Sequence, residues 1–296
     1  MSTTPTPATK VEVKPPVAKP VTAAAASKVV LKTERLSELP FWSTYRLGIA
    51  GAPESGKTRL FATLSRAWKE DEDGHPVATG LEDIYYCETD EGGGNSIREW
   101  GIDCPILDMG KMTDGEIYSA LSELPGFLAN EAAKIKARGV CIDTGSRLVK
   151  AVLNTLIKRG LDKAPLYNTL AMELRKFLFA MRAVHCPLVW NFHIKPPAII
   201  EGADDQGVRI AAGLGASDLE IDIDGRASKA LIRDSCTHIY HLETREMPGN
   251  KTVRQLSADS RVESKRRMQK LTSAVEPAHL GKLFEKLAAS MNIPLP

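Results

Sequence analysis

The sequence predicts an α/β fold, in which a mostly parallel sheet is flanked by helices. The first observation is an apolar run at residues 45–50, which leads through a glycine-rich loop into a helical pattern at 59–68. The second is that short apolar runs and longer helical patterns follow one another along much of the chain. The third is that polar or acidic side chains directly follow several of these runs, and open parallel sheets bind their ligands at the carboxyl ends of the strands.

The composition is that of an ordinary globular protein. The 296 residues are 43% hydrophobic, which is ample for the core of one large or two small domains. A formal charge of +2, from 39 basic and 37 acidic side chains, neither indicates nor excludes a nucleic-acid partner. The five cysteines stand far apart without a C-x-x-C pair, so we expect reduced core residues.

The sequence also predicts where the protein resides and which part of it is ordered. No apolar run approaches the length needed to cross a bilayer, and the N-terminus lacks a compact apolar signal, so we expect a cytoplasmic protein that makes no membrane contact. Residues 1–30 are rich in Thr, Pro, Ala, Val and Lys, which predicts a disordered tail. Residues 40–296 are predicted to form one domain.

The glycine-rich loop at 47–58 matches the pattern G-x-x-x-x-G-K-[ST] at Gly51, Gly56, Lys57 and Thr58. Glycines let the backbone turn N–H groups toward phosphate oxygens, the lysine adds charge near the β- and γ-phosphates, and the threonine hydroxyl can ligate Mg²⁺. The strand before the motif and the helix after it favour a phosphate-binding loop over a glycine-rich surface turn. The predicted nucleotide-binding residues are Gly51, Ala52, Pro53, Glu54, Ser55, Gly56, Lys57 and Thr58.

Acidic residues follow the next predicted strand, 84–87. Glu88 is the first residue after this strand, at the edge where parallel sheets bind ligands, so a functional role is favoured for it. Asp90 and Glu91 are interpreted as a solvated acidic turn. A further short strand is predicted at 105–109.

A second acid ends the predicted strand at 139–143. Asp143 is followed by Thr144-Gly145-Ser146, a pattern that also fits a simple helix cap. Downstream of a phosphate-binding loop, however, an aspartate at this position is typical of nucleotidases, which use it to hold the Mg²⁺ shell from the side opposite Thr58.

The predicted strand at 187–192 leads to His193. A polar side chain at this strand end can sense the γ-phosphate and pass its presence to the breaker-rich segment that follows, 196–218, interpreted as a mobile loop or a β-hairpin. A lone histidine is also often structural, and both interpretations stay open. Further helices are predicted at 116–137 with an interruption at Pro125, at 147–159, at 168–184 and, as a helical turn that runs into a strand, at 230–242.

The C-terminal part contains the densest basic segment, 243–276, before a closing helix at 279–291. A solvated cationic face is one interpretation of the segment. The other is functional: an arginine that reaches a neighbouring subunit's triphosphate, together with phosphate contacts to nucleic acid.

The phosphate loop and the strands ending at Glu88, Asp143 and His193 together resemble the RecA-like ATPases, and among them the compact phage ATPases linked to single-strand annealing and recombination. The resemblance covers residues 45–242 and implies a three-layer P-loop NTPase fold. It also implies that Glu88 activates the attacking water, that Asp143 holds the Mg²⁺ shell and that His193 senses the γ-phosphate. RecA itself has a glutamine at the sensor position, so His193 is more similar to the phage branch.

The resemblance implies Mg²⁺-dependent ATP hydrolysis in phage-type DNA recombination, annealing or replication, in the host cytoplasm if the protein is phage-encoded. ATP and Mg²⁺ are the expected ligands, and single-stranded DNA, phage recombination or replication proteins and further copies of the chain in a ring or filament are the candidate partners. Arg266, within 261–267, is the predicted catalytic arginine for a neighbour's site. The segment 196–217 is acidic, with Arg209 its single basic residue, which argues against DNA binding there.

Two other functions remain open. One is a nucleotide-gated binding or assembly module in which turnover is incidental. The other is a small-molecule kinase, which is disfavoured because no arginine-rich lid is recognised near an acceptor site.

Overall fold

The computed structural model describes residues 41–72, 76–77, 80–90, 97–99, 101–195, 220–247, 251–258 and 265–296. The described residues belong to a compact unit, Pro40–Pro296. The predictions that lie outside the described residues are the disordered tail at 1–30, Glu91 of the acidic turn, the segment 196–218, and residues 248–250 and 259–264 of the basic segment.

The strands of the described chain form one large sheet and one small one. In the large sheet the order is β11-β9-β8-β1-β5-β4-β2-β3, with β10 added beside β8. The strands from β8 to β3 in this order are all parallel, whereas β9, β10 and β11 are antiparallel additions. In chain order the strands are β1 (Arg46–Ala50), β2 (Tyr85–Glu88), β3 (Ile106–Asp108), β4 (Val140–Asp143), β5 (Leu188–Phe192), β6 (Ile194–Lys195), β7 (Glu220–Ile221), β8 (His238–Met247), β9 (Lys251–Ser257), β10 (Lys265–Arg266) and β11 (Val275–Pro277).

Helices cover both faces of this sheet. The cluster of buried residues on one face draws on α3 to α7, and the cluster on the other face draws on α1, α2 and α8. The helices are α1 (Phe41–Thr44), α2 (Lys57–Ala62), α3 (Asp114–Ala120), α4 (Leu124–Lys134), α5 (Gly145–Lys158), α6 (Lys163–Ala180), α7 (Arg226–Ser235) and α8 (Leu280–Met291). None of these described helices combines the length and the apolar character needed to cross a bilayer.

Burial explains why the parallel strands were recognisable in the sequence. Every residue of β1, β2, β4 and β5 is buried, because helices cover both faces of a parallel sheet, and such strands are short continuous apolar runs. The predicted α/β class, a three-layer P-loop architecture with a mostly parallel sheet, is confirmed.

The helix after the glycine-rich loop is shorter than the prediction of 59–68. It ends at Ala62, and the Thr63 hydroxyl donates a hydrogen bond of 2.6 Å to the Leu60 carbonyl oxygen. The same hydroxyl accepts a 2.8 Å hydrogen bond from the Leu280 N–H at the start of α8. The start of α8 therefore docks on the residue where α2 ends, a long-range contact that local periodicity does not show.

The helix predicted at 116–137 is two helices, α3 and α4. Pro125 lies in the first turn of α4, where its missing N–H leaves no intrahelical hydrogen bond unmade. Proline therefore marks the beginning of a new helix here. The wider span and the interruption at Pro125 were predicted, whereas the separate start of α3 at its capping box, Thr113 and Glu116, was not.

Much of the basic segment 243–276 is β-structure. The second half of β8 and all of β9 form an antiparallel hairpin within it, and β10 and β11 add to the same sheet. Its description as a charged segment therefore missed three strands.

Candidate functional site

The loop between β1 and α2 lies at the carboxyl edge, which is the sheet edge where β1, β2, β4 and β5 end. The Gly51 N–H donates a 3.1 Å hydrogen bond to the Phe192 carbonyl oxygen at the end of β5. A Cβ atom at Gly51 would lie 2.6 Å from Ser55 Oγ, and Gly56 has φ of +93°. The left-handed backbone at Gly56 favours glycine, whereas a Cβ atom at Gly51 would require the Ser55 hydroxyl to rotate away.

Lys57 turns back over this loop. Its side chain is buried, and its ammonium donates hydrogen bonds of 3.1 Å to the Gly51 carbonyl oxygen and 2.7 Å to the Ala52 carbonyl oxygen. Burial lowers the pKa of Lys57, although the charges of Asp143 and Asp90 oppose this shift. The two carbonyl oxygens hold the ammonium over the loop, on the side where the acids of the carboxyl edge lie.

Asp143 joins the loop to β4 through two hydroxyl groups. The Thr58 hydroxyl donates a hydrogen bond of 2.7 Å to Asp143 Oδ2, and the Tyr86 hydroxyl donates one of 2.5 Å to the same oxygen. Burial, and then the Asp143 charge, raise the pKa of Tyr86. The threonine and aspartate that the sequence assigned to one metal ion are thus in direct contact, and their oxygen atoms suit a hard cation such as Mg²⁺.

Glu88 lies one strand away from Asp143, at the end of β2. The two residues are in register across the parallel pair β2 and β4, where neighbouring strands lie about 4.8 Å apart. Tyr86 contacts Asp143 across one face of the sheet, and Glu88, two residues further along β2, therefore faces the same side. Glu88 is buried. It is thus placed beside the Thr58 and Asp143 pair on the face covered by α2.

Asp90 is part of the same site, and the interpretation of it as a solvated turn residue is wrong. Its Oδ2 accepts a 2.7 Å hydrogen bond from the Thr144 hydroxyl and lies 3.1 Å from His193 Nε2. Burial would raise the pKa of Asp90, but the hydrogen bonds from His193 and Thr144, together with the Arg147 charge, outweigh it and lower the pKa. Asp90 therefore links the ends of β2, β4 and β5.

His193 connects the carboxyl edge to the chain beyond it. Its side chain faces Asp90, and its backbone N–H donates a 3.1 Å hydrogen bond to Ser146 Oγ at the start of α5. The next residues form β6, which pairs with β7 on the far side of the segment 196–219. His193 thus lies directly between the end of β5 and the start of β6.

Asn191 is a site residue that the sequence analysis missed. It is fully buried, and neither side-chain atom has a hydrogen-bond partner in the described part of the chain. It is in register with Asp143 on one side and Ile49 on the other, so it faces the same side of the sheet as Asp143. An asparagine inside the apolar run at 187–192 is the signal that could have revealed it, because buried amides need partners.

The predicted arginine, Arg266, lies elsewhere in its own chain. It pairs with His238 at the start of β8, the opposite end of the sheet from the glycine-rich loop, and its guanidinium donates to the Thr272 carbonyl oxygen at 3.4 Å. A role for Arg266 in a neighbouring subunit stays a prediction. Another arginine of the basic segment, Arg254 of β9, lies beside Gly56.

The sequence and the fold were compared with those of known proteins. No protein-family model matches the sequence, and no curated protein matches it. A solved structure that is similar to the chain is the KaiC-like protein PH0186 from the hyperthermophilic archaeon Pyrococcus horikoshii OT3, with a TM-score of 0.41 and 10% sequence identity over 80% of this chain and 85% of that chain. A similarity at this level carries no functional conclusion.

Proposed function

We propose that this protein is a Mg²⁺-dependent ATPase of the RecA-like P-loop type. The observation that carries the proposal is that the Thr58 hydroxyl of the glycine-rich loop contacts Asp143, and that Glu88 lies in register beside Asp143 on the same face. Three strands, β1, β2 and β4, deliver these groups to one edge. A glycine-rich surface turn needs no such acids, whereas a nucleotide hydrolase needs each of them.

The loop would bind the triphosphate through backbone N–H groups and Lys57. The Lys57 ammonium already lies over the loop, held by the Gly51 and Ala52 carbonyl oxygens. Phosphate oxygens would replace these neutral acceptors with charged ones, and hydrogen bonds between charged partners are shorter and stronger. The choice of ATP over other nucleoside triphosphates rests on the resemblance to RecA-like ATPases.

Thr58 and Asp143 would hold the magnesium ion. Mg²⁺, when bound, neutralises charge on the phosphates. The fit is chemical: a hydroxyl oxygen and a carboxylate oxygen lie 2.7 Å apart at the loop, and both are hard ligands. The Tyr86 hydroxyl orients the Asp143 carboxylate by donating to Oδ2. The Thr58 hydroxyl donates to the same oxygen, so neither hydroxyl donates to Oδ1.

Glu88 would polarise the attacking water. It is a buried carboxylate next to Asp143, so a water between the loop and β2 would lie within its reach. Asn191, on the same face and also next to Asp143, has both a donor and an acceptor to offer such a water or the γ-phosphate. His193, through Asp90 and β6, would report the bound phosphate to the segment 196–219.

The biological use of the cycle is the less constrained part of the proposal. A role in phage-type DNA recombination, annealing or replication rests on the resemblance. Lys265, Arg267 and Lys270 are described residues of the basic segment that would make phosphate contacts to DNA. A nucleotide-gated binding module uses the same His193 connection but does not need Glu88 for turnover. The two functions therefore differ in whether they require Glu88.

Glu88→Gln separates hydrolysis from binding. We expect the variant to bind Mg²⁺·ATP like the wild type and to lose at least about 100-fold in phosphate release, because general-base catalysis contributes about 10²–10⁴-fold. Glu123→Gln, a change of an exposed carboxylate before α4, is the matched control and should keep wild-type activity. Binding is measured with a fluorescent nucleotide, and turnover by phosphate release with and without single-stranded DNA.

The outcomes separate the two functions. Bound nucleotide without turnover in the wild type would support the gated module over the ATPase. Full turnover by Glu88→Gln would show that Glu88 is not the base, and Asp90 would then be the next candidate among the described acids.

A further inference from the structure

The hairpin of β8 and β9 extends past the carboxyl edge, beside the glycine-rich loop. Strand β8 pairs with β1 from His238 to His241, and its following residues pair with β9 as far as the pair of Met247 and Lys251. Arg254 lies on the returning strand, opposite Thr244, and therefore beyond the point where β1 ends and the loop begins.

Strand alternation places Arg254 on the face that α2 covers. Leu256, two residues further along β9, is buried in the same cluster as Phe61 of α2. Residues two apart on a strand face the same side, so the Arg254 side chain extends from β9 on the face of the sheet where α2 and the glycine-rich loop lie.

The Arg254 guanidinium packs against Gly56. A Cβ atom placed on Gly56 would lie 3.4 Å from Arg254 Nε, 3.6 Å from Cζ and 3.8 Å from Cδ. The side chain is exposed, and no described carboxylate forms an ion pair with it. An arginine thus lies against the loop without a described counter-charge, beside the glycine that precedes Lys57.

Two cations converge on this part of the loop. Lys57 approaches from the inside and donates to neutral carbonyl oxygens, and Arg254 approaches from the outside. An anion bound at the loop would accept charge-assisted hydrogen bonds from both side chains, because both are cationic. A guanidinium can make two parallel hydrogen bonds to a phosphate group, a geometry that a lysine does not offer.

We propose that Arg254 is a phosphate-binding residue for the nucleotide held by the loop of its own chain. The proposal rests on the proposed nucleotide site and adds an intramolecular arginine to it. It differs from the role predicted for Arg266, which lies at the opposite end of the sheet and would have to act on a neighbouring subunit.

Arg254→Ala, Arg254→Lys and a control variant test the proposal by equilibrium titration with a fluorescent ATP analogue and Mg²⁺. We expect Arg254→Ala to bind about 10- to 100-fold more weakly, from the loss of hydrogen bonds to a charged partner, and Arg254→Lys to be intermediate. Arg182→Ala removes an exposed arginine that stacks on Phe179 and should bind like the wild type. Thermal unfolding without nucleotide shows whether each variant is folded.

Mixed subunits distinguish action within the chain from action between chains. Arg254→Ala and Lys57→Ala chains are co-expressed, and their ATP binding and turnover are compared with the sum of the two separate variants. If Arg254 acts on the nucleotide of its own chain, the mixture should show no more binding and turnover than that sum, because every chain carries one of the two defects. Recovery well above the sum would show that Arg254 serves a neighbour and would overturn the proposal.

Three further results have distinct meanings. Wild-type affinity in Arg254→Ala, with Lys57→Ala impaired, would refute the role of Arg254 while leaving the nucleotide site intact. If Arg254→Ala instead weakened binding to single-stranded DNA alone, the residue would be a nucleic-acid contact and the proposal would be wrong. Absence of nucleotide binding by the wild type would refute the proposed function and the inference together.

Discussion

Replacing Gly56 by alanine tests how the backbone of the glycine-rich loop is used. Gly56 has φ of +93° and ψ of 23°, a left-handed conformation that costs an L-residue about 1–2 kcal/mol. The new Cβ would meet the Arg254 side chain at 3.4 Å, and this exposed side chain can withdraw at little cost. We therefore expect the free energy of unfolding to fall by about 1–2 kcal/mol, which lowers Tm by about 2–8 °C for a domain of this size.

The same change should weaken nucleotide binding by more than its effect on stability suggests. The methyl group comes into contact with Arg254 and disfavours the loop conformation that the nucleotide needs. Gly160→Ala is the matched control, because Gly160 also has a positive φ, +82°, but nothing lies within 4 Å of the added Cβ. Both variants should lose similar stability, whereas Gly56→Ala alone should lose about 10-fold or more in affinity.

Thermal unfolding with and without Mg²⁺·ATP measures both effects at once. The wild type and Gly160→Ala should gain similar increments in Tm from the nucleotide, since binding to the folded state stabilises it. Gly56→Ala should gain a smaller increment. Equal nucleotide-induced increments in Tm in both variants would refute the claim that nucleotide binding needs the left-handed backbone of Gly56.

Three further changes test the acids and the amide of the carboxyl edge. Asp143→Ala leaves the buried Tyr86 hydroxyl without its acceptor, so urea unfolding should show a loss of about 1–3 kcal/mol. Asn191→Leu removes a buried amide that has no described partner, so phosphate release should fall while the free energy of unfolding stays equal or rises. Burial opposes the lowered pKa of Asp90, but hydrogen bonds from His193 and Thr144 prevail. The contribution of the Asp90 carboxylate to the free energy of unfolding is therefore present above its ordinary pKa of 3.8 and is lost as the pH falls below that value. In urea unfolding, Asp90→Asn should lack this loss of stability at acidic pH.

The parallel core of the fold is predictable from sequence because burial leaves a direct trace there. The runs at 139–143 and 187–192 differ from β4 and β5 by a single residue at the start, since buried parallel strands are continuous apolar segments. The start of β8 was predicted as the strand that ends the segment 230–242, whereas the second half of β8 and all of β9 were missed because they are rich in charged residues. The turn signal Pro248-Gly249-Asn250 was the available clue.

The site is predictable where one residue type at one position is chemically required. Gly51, Gly56, Lys57 and Thr58 are fixed relative to each other by the loop, and Asp143 is placed by the strand that it ends. Side chains that reach the site from other elements are harder to predict. Asp90, Asn191 and Arg254 owe their places to strand register and hairpin geometry, which arise from pairing between segments far apart in sequence.

The most direct test of the account is binding of Mg²⁺·ATP to the wild type and to Lys57→Ala, measured by isothermal titration. The wild type should bind one nucleotide per chain, and Lys57→Ala should lose most of this affinity because the buried ammonium over the loop is gone. Lys176→Ala, which removes an exposed lysine paired with Glu173, should bind like the wild type. Equal binding by the wild type and Lys57→Ala, or no binding by the wild type, would contradict the central claim.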